Sequence, residues 1–404
     1  MTTTPSTGTT VPGTEIPVLS ADIGGSGPVY SHFEQWDALR EQCPAFWNDV
    51  GEGHWVLTRF DSARKALQQV ETFSTDSTII SDPNPEYMLL PLFLDPSLHV
   101  KYRQLYNARF SPGAVDRLTP MARQVCRDTI EQVLDRGHCD VINEFADLFP
   151  TQVFLMALGL PLEDAPQFVE WVRKIFLGLA GVDTEIAAAA QGEVAEYFTA
   201  ALDDRRRHPR DPDADMTTYL LEARIDGEPI SQDYLLSMLT TLVLAGLDTT
   251  KCQLGFNFHH LATHPEDRRR IVEDPSLIPS AVEEMLRVFA FVPPARKLRA
   301  DIDYEGCPMK AGQMVLMPLW SANRDPRAFE DSERVVIDRS PNRHFAFGAG
   351  AHRCAGAHLA RRELVIALEE WHRLIPDYEL ASDAPVVEHG WQIGLDTLPL
   401  RWDV

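Results

Sequence analysis

The tract Phe347-Gly348-Ala349-Gly350-Ala351-His352-Arg353-Cys354-Ala355-Gly356 carries the least ordinary chemistry in the chain. Two glycines punctuate a loop, a cysteine follows, and a helix-forming run begins just after it. Glycines there permit backbone angles closed to other residues. A cysteine at a helix N-terminus meets free amide donors and the positive end of the helix dipole, and both lower its pKa toward the thiolate. Such a thiolate is an axial ligand for haem iron. The competing interpretation is a structural cysteine in a glycine-rich turn, and the full pattern FGxGxHxCxG favours the ligand. A second constellation, Ala245-Gly246-Leu247-Asp248-Thr249-Thr250, lies inside a long apolar run. Glycine costs a helix about 1 kcal/mol against alanine, so Gly246 wants a reason. A threonine hydroxyl bonding back to a preceding carbonyl would open the helix locally and leave a groove for dioxygen. Asp248 would then supply a proton path and Thr249 would place the proton, with Thr250 structural. The bland alternative is a small-residue helix crossing. Third, Glu284 and Arg287 stand at i and i+3, on one helix face, and can form an ion pair.

These residues need elements to position them. Residues 98–290 are helical by periodicity, with runs at Met121–Leu134, Thr151–Leu158, Pro166–Leu179, Ala187–Asp203 and Tyr234–Leu261. The last is apolar nearly all round its middle, as befits a buried helix. His54–Arg59 reads as a strand, followed by a helix capped by Asp61 with Ala63, Ala66 and Leu67 on one face. Short strands are expected at 297–299, 302–304 and 314–319, and a final helix over Ala357–Leu374. Seven of the first fourteen residues are threonine, so residues 1–28 are expected to be disordered or loosely draped. Residues 29–404 then form one unit, mainly α with small β-sheets. His259, His260 and His264 read as helix-end residues, and Arg205–His208 as a solvated turn.

With these motifs in this order, the chain resembles the cytochrome P450 family, the haem-thiolate monooxygenases, in its soluble bacterial type. His358–Glu363 and Leu398–Trp402 are especially similar to the camphor-hydroxylating member, and Ser340–His344 and Lys101–Leu105 to the cineole-hydroxylating one. The resemblance implies the P450 fold, with the long central helix over the haem and the cysteine loop beneath it. It implies haem b bound through Cys354, with Phe347, Gly348, Gly356, Ala245 and Gly246 around it. Asp248 and Thr249 match the family's acid–alcohol pair. His99 and Arg103 match its HxxxR; with Arg296 and His352 they are expected to hold the haem propionates. Glu284 and Arg287 match a folding element joined by a later basic residue, Arg339 or Arg343. The implied substrate wall comprises Tyr87, Leu89, Leu92, Thr241, Leu244, Val292, Trp391 and Gln392, with Tyr87 either donating to a substrate oxygen or standing half-exposed in its loop. This mostly apolar wall suits a small hydrophobic substrate, terpenoid-like or a small aromatic.

Composition bounds the partners. Apolar residues make up 44% of the 404, enough for a sizeable core. The formal net charge of −23 disfavours nucleic acid and anionic lipid. No run resembles a signal peptide or a spanning helix, so a cytoplasmic location is expected; the chain is expected to be a monomer. The six cysteines form no CxxC pair. Electrons are expected from NAD(P)H through a reductase and a separate ferredoxin or flavodoxin, docked on a basic patch of Arg103, Arg109, Arg353, Arg361 and Arg362. Two rivals are a peroxide-driven haem peroxygenase and a non-catalytic haem sensor; Asp248 and Thr249 speak against both.

Overall fold

Ser231 caps the longest helix, its Oγ accepting the N–H of Tyr234 at 3.3 Å, and the helix runs over Gln232–Thr263. In the computed structural model, which describes residues 10–179, 182–390 and 392–404, this helix is the hub of the fold. It is long and apolar enough to cross a membrane, yet 56% of its most apolar window is buried inside the protein. The helices Leu148–Leu158, Ala165–Leu179 and Thr184–Arg207 pack on it, as do Ile278–Val288 and Ala357–Leu374. Gly246 sits at one crossing. A Cβ there would lie 2.7 Å from Phe154 Cε2, so the small-residue crossing accounts for this glycine.

A six-stranded mixed sheet flanks the helical layer, in the order Val18–Leu19, Ala45–Asn48, His54–Leu57, Met314–Leu316, Ala295–Leu298, Phe73–Ser74. His54–Leu57 runs antiparallel to Ala45–Asn48 and parallel to Met314–Leu316. A smaller sheet joins Gly27–Pro28 to Val387–His389 and Gly394–Leu395.

Several expectations are corrected. Residues 10–28 are not loose: Val18 and Leu19 pair with Trp47 and Asn48. Leu19, Ala21 and Ile23 are buried, and the Asn48 side chain bonds both backbone groups of Ala21. Threonine-rich composition hid a short apolar run that a sheet edge could recruit. Residues 1–9 lie outside the described residues. Asp61 is not the cap of its helix; the cap of Phe60–Gln68 is Arg59, two residues earlier, and the Phe60 N–H is taken by Asp325 at 3.1 Å. Arg205 is buried rather than solvated, bonding Asp215 and the Gly159 carbonyl. His259 and His260 do lie at a helix end, that of Gln232–Thr263, and are buried there against the Tyr30 hydroxyl and Asp267.

Candidate functional site

The cysteine loop is built by its glycines. Gly348 and Gly350 hold φ of +73° and +74°, and a Cβ on Gly350 would lie 2.5 Å from the Leu67 carbonyl oxygen. Two backbone bonds close the loop, Gly348 N to Phe345 O and Cys354 N to Phe347 O, both at 2.8 Å. A single helical turn, Gly350–His352, precedes Cys354, and Ala357–Leu374 starts just after it. Cys354 lies deep among protein atoms yet is accessible. Burial raises the pKa of its free thiol, against the Gly356 N–H and the guanidinium groups of Arg103, Arg353 and Arg361, which pull it down. The helix terminus alone does not make this sulfur a thiolate. Arg361 stands 4.5 Å over the Phe347 ring and is tied to Glu283 at 2.5 and 2.9 Å.

In the long helix, Thr249 Oγ1 donates to the Ala245 carbonyl at 2.9 Å, as the back-bonding argument requires. Ala245 is exposed although Val243 and Leu247 on the flanking positions are buried, so this face of the helix borders open interior space. Ala245, rather than Gly246, fronts that space. Asp248 is engaged on both oxygens: Lys251 Nζ lies 2.5 Å from Oδ1, and Cys252 Sγ lies 3.5 Å from Oδ2. Lys251 is also 3.8 Å from Asp147, which in turn pairs with the half-exposed Arg173. Asp248, Lys251, Asp147 and Arg173 thus form an alternating chain of charges from the helix toward the surface. Burial raises the Asp147 carboxyl above its ordinary value despite the nearby cations. Thr250 turns the other way and bonds Glu363 at 3.3 Å. That contact joins the acid–alcohol turn to the helix that follows Cys354. Glu363 is 3% exposed, and burial pushes its pKa up to about 8.

The four expected propionate residues converge. His99 and His352 have ring centroids 3.9 Å apart, and each ring lies in the fields of Arg103, Arg296 and Asp95. Burial lowers their pKa values to about 4 and about 3, so both are neutral at physiological pH. Arg296 is 4% exposed, and burial brings its guanidinium down to about 10. Its Nε and the His99 Nδ1 are buried without a hydrogen-bond partner, among the described residues. Arg103 bonds the Arg353 carbonyl and, at 2.8 Å, Asn107. Buried polar atoms left unpaired are costly and rare, and the Arg296 Nε, a fixed donor, marks where an acceptor belongs. This set lacks a carboxylate and fits the two that a haem carries, with the Cys354 sulfur available to its iron.

Glu284 and Arg287 are fully buried and pair at 2.8 and 2.9 Å. The third member is Arg339, whose Nε reaches both Glu284 oxygens at 2.9 and 3.0 Å. Arg343 makes no such bond. Asn342 and the Val336 N–H complete the carboxylate's shell. Arg287 extends onward to the carbonyls of Asn323, Ser332 and Arg334, which ties the irregular meander over residues 323–342 to this helix.

Of the expected substrate wall, the segment from Tyr87 to Leu92 is strapped to the long helix. Ser237 Oγ accepts the Leu90 N–H at 3.0 Å and donates to the Met88 carbonyl at 2.5 Å. Tyr87 is 40% exposed and packs on Phe93. Thr241 is buried, and Leu89, Leu92, Leu244 and Val292 are half-buried. The Gln392 Oε1 is buried without a partner, among the described residues, and Trp391 lies outside them. Sequence reasoning missed Lys251, Asp147, Glu363 and Asn342. Lys251, at i+3 from Asp248, carried the same signal as Glu284 and Arg287.

Comparison with known proteins identifies the family. The sequence profile described as Cytochrome P450 matches residues 46–381. The chain is 34% identical over 355 residues to the "Probable cytochrome P450 127A1" of Sinorhizobium fredii, covering 87% of this chain and 84% of that protein. It is 32% identical to the "Mycinamicin IV hydroxylase/epoxidase" of Micromonospora griseorubida, over 87% of this chain and 86% of that one. Among solved structures, that of CYP101J2 superposes with a TM-score of 0.87 at 30% identity, covering 96% of this chain and 98% of the other. The family profile over most of the chain, relatives above 30% identity and a superposable solved structure place the protein, with its cysteine loop and its cradle of arginine and neutral histidine side chains, in the cytochrome P450 family of monooxygenases.

Proposed function

We propose that this protein binds haem b through Cys354 and hydroxylates a small hydrophobic substrate, terpenoid-like or a small aromatic. One haem-binding unit spans residues 10–404 of a cytoplasmic monomer, and electrons come from NAD(P)H through a reductase and a ferredoxin. The observation that carries the reading is the Thr249–Ala245 bond beside the ion-paired Asp248, on a helix face that borders open space. When bound, haem supplies dioxygen binding and activation at its iron, ligated by the cysteine thiolate. His99, Arg103, Arg296 and His352 hold its carboxylates and fix its orientation.

The residues of the chain then manage protons. Because the Thr249 hydroxyl donates to Ala245, its oxygen lone pairs are free to accept a hydrogen bond from the interior. Asp248 is tethered to Lys251, and proton transfer toward Thr249 requires that tether to loosen. Asp147 offers Lys251 a second anion, so the loosened state is not an unpaired buried cation. The apolar wall and the strap at Ser237 limit water near the substrate. Tyr87 offers a phenol that can donate to a substrate oxygen.

The test is reconstitution of the haem-loaded protein with a ferredoxin and its reductase, in parallel with peroxide alone. Ligands are first chosen by their shift of the ferric spin state. Product should form with the redox chain, and Thr249→Ala should divert most reducing equivalents to peroxide or water while ligand binding persists. Equal turnover by peroxide alone, untouched by Thr249→Ala, would establish the peroxygenase instead. Bound ligands that are never oxidised would point to a sensor.

A further inference from the structure

Three cations bear on the Cys354 sulfur, Arg103, Arg353 and Arg361, and among the described residues only Arg361 is ion-paired. Its partner is Glu283, on the helix Ile278–Val288 beside the buried Glu284. Glu283 takes the Arg361 fork on both oxygens, Nε on Oε1 and a terminal nitrogen on Oε2. The same carboxylate accepts the His344 Nε2 proton at 2.9 Å. His344 Nδ1 accepts the Ala346 N–H at 3.2 Å, so this ring donates on one side, accepts on the other and is neutral. The one full charge that Glu283 faces is therefore Arg361. Against burial, which raises it, the bonds from His344 and Arg361 hold the Glu283 carboxyl down at about 2. It is an anion throughout the physiological range.

Glu283 thereby grips both flanks of the cysteine loop. His344 stands ten residues before Cys354, and Arg361 seven after it. The Arg361 guanidinium lies 4.5 Å over the Phe347 ring, and the Phe347 carbonyl takes the Cys354 N–H at 2.8 Å. The contacts run in series from Glu283 through Arg361 and Phe347 to Cys354. The Arg361 and Glu283 side chains are 25% and 32% exposed, so water screens neither charge fully. A two-point fork fixes a guanidinium more firmly than a single bond does, and the ring beneath favours the cation. At the sulfur the two fields oppose each other, and removal of either partner uncovers the other.

We infer that Glu283 and Arg361 form a charge-balanced pair that sets the reduction potential of the haem iron, with Glu283 as the positioning residue that fixes Arg361 over Phe347 and mutes its field. The inference rests on the proposed ligation of that iron by Cys354. Reduction adds one electron to the ferric iron, so a nearby cation favours the ferrous state and a nearby anion the ferric one. Glu283 keeps the potential below the value that Arg361 alone would give. Removing the acid and removing the base therefore move the potential in opposite directions. Loss of packing at the loop supplies no reason for opposite signs, which separates a charge effect from a structural one.

The experiment is a redox titration of the haem-loaded protein, followed by its visible spectrum, with dithionite as the reductant and mediator dyes. At a fixed applied potential, Glu283→Gln should raise the ratio of ferrous to ferric protein by about threefold or more. Arg361→Gln should lower it by a similar factor, and the double variant should return to within about twofold of wild type. Two further variants decide the point at one position should Glu283→Gln not hold haem. Arg361→Lys keeps the cation and should stay near wild type. Arg361→Met keeps an unbranched stem over Phe347 and should fall with Arg361→Gln. Shifts of the same sign in both glutamine variants, or Arg361→Lys falling as far as Arg361→Met, would overturn the inference. Carbon monoxide spectra of the same samples separate the two levels. A thiolate-type band in wild type with unmoved potentials in every variant sinks this inference alone; a histidine-type band in wild type removes the thiolate reading and this inference with it.

Discussion

Replacing Arg296 by leucine should move the haem-free and haem-loaded proteins in opposite directions. Arg296 is 4% exposed, its Nε has no partner among the described residues, and its one polar bond is to the Ala295 carbonyl at 2.6 Å. Burial brings the guanidinium from 12.5 to about 10. At 1.36 kcal/mol per pKa unit, keeping it charged at neutral pH without an anionic partner costs about 3 kcal/mol. Leucine removes that charge and keeps most of the apolar stem, so the haem-free variant should be more stable by about 1–3 kcal/mol. With haem present, the same change deletes a charge-assisted bond to a propionate, a loss of about 1.5–3 kcal/mol. Haem retention should weaken by about one to two powers of ten. Urea unfolding of the haem-free protein reads the first effect, and haem transfer to an excess of a scavenging apoprotein reads the second. A haem-free variant that is less stable than wild type, with haem loss unchanged, would refute the assignment of Arg296 to a propionate.

Glu363 gives a pH signature. Its pKa is raised from 4.5 to about 8, so the folded protein keeps a proton that the unfolded chain has released. Stability should fall as pH rises from about 4.5 through about 8. Glu363→Gln should match wild type near pH 4.5 and exceed it by a few kcal/mol near pH 8, read from urea midpoints across that range. A slope that survives the substitution would count against this source. Gly246→Val should cost about 1–3 kcal/mol by collision with Phe154. The smaller partner Phe154→Ala should recover part of that cost, which a double-mutant cycle in thermal unfolding would show. Arg339→Ala should cost about 2–4 kcal/mol by stripping the buried Glu284 of a cation, whereas Arg343→Ala should stay within about 0.5 kcal/mol, both by urea unfolding.

The parts of the site that are local in sequence were legible in it. The cysteine loop is one contiguous tract, and its glycine requirement at Gly350 follows from a backbone approach by Leu67. The buried helix was expected over Tyr234–Leu261 and spans Gln232–Thr263; the last helix has the expected bounds. Periodicity reports such elements because their apolar faces repeat. What escaped depends on distant partners. Spacing could not choose Arg339 over Arg343, since the choice is made by the fold of the meander around Glu284. Composition marked residues 10–28 as loose because the strand that recruits them, Ala45–Asn48, leaves no trace in them. The reason for Gly246 was ambiguous until Phe154, from another helix, was seen against it.

The central claim is that Cys354 is the thiolate ligand of a haem, and the carbon monoxide difference spectrum of the reduced, haem-loaded protein tests it most directly. The account predicts a strongly red-shifted Soret band, abolished in Cys354→His, which would place the band where histidine-ligated haem absorbs. A wild-type band already at that histidine position, in protein that is otherwise folded and haem-replete, would contradict thiolate ligation and with it the monooxygenase reading.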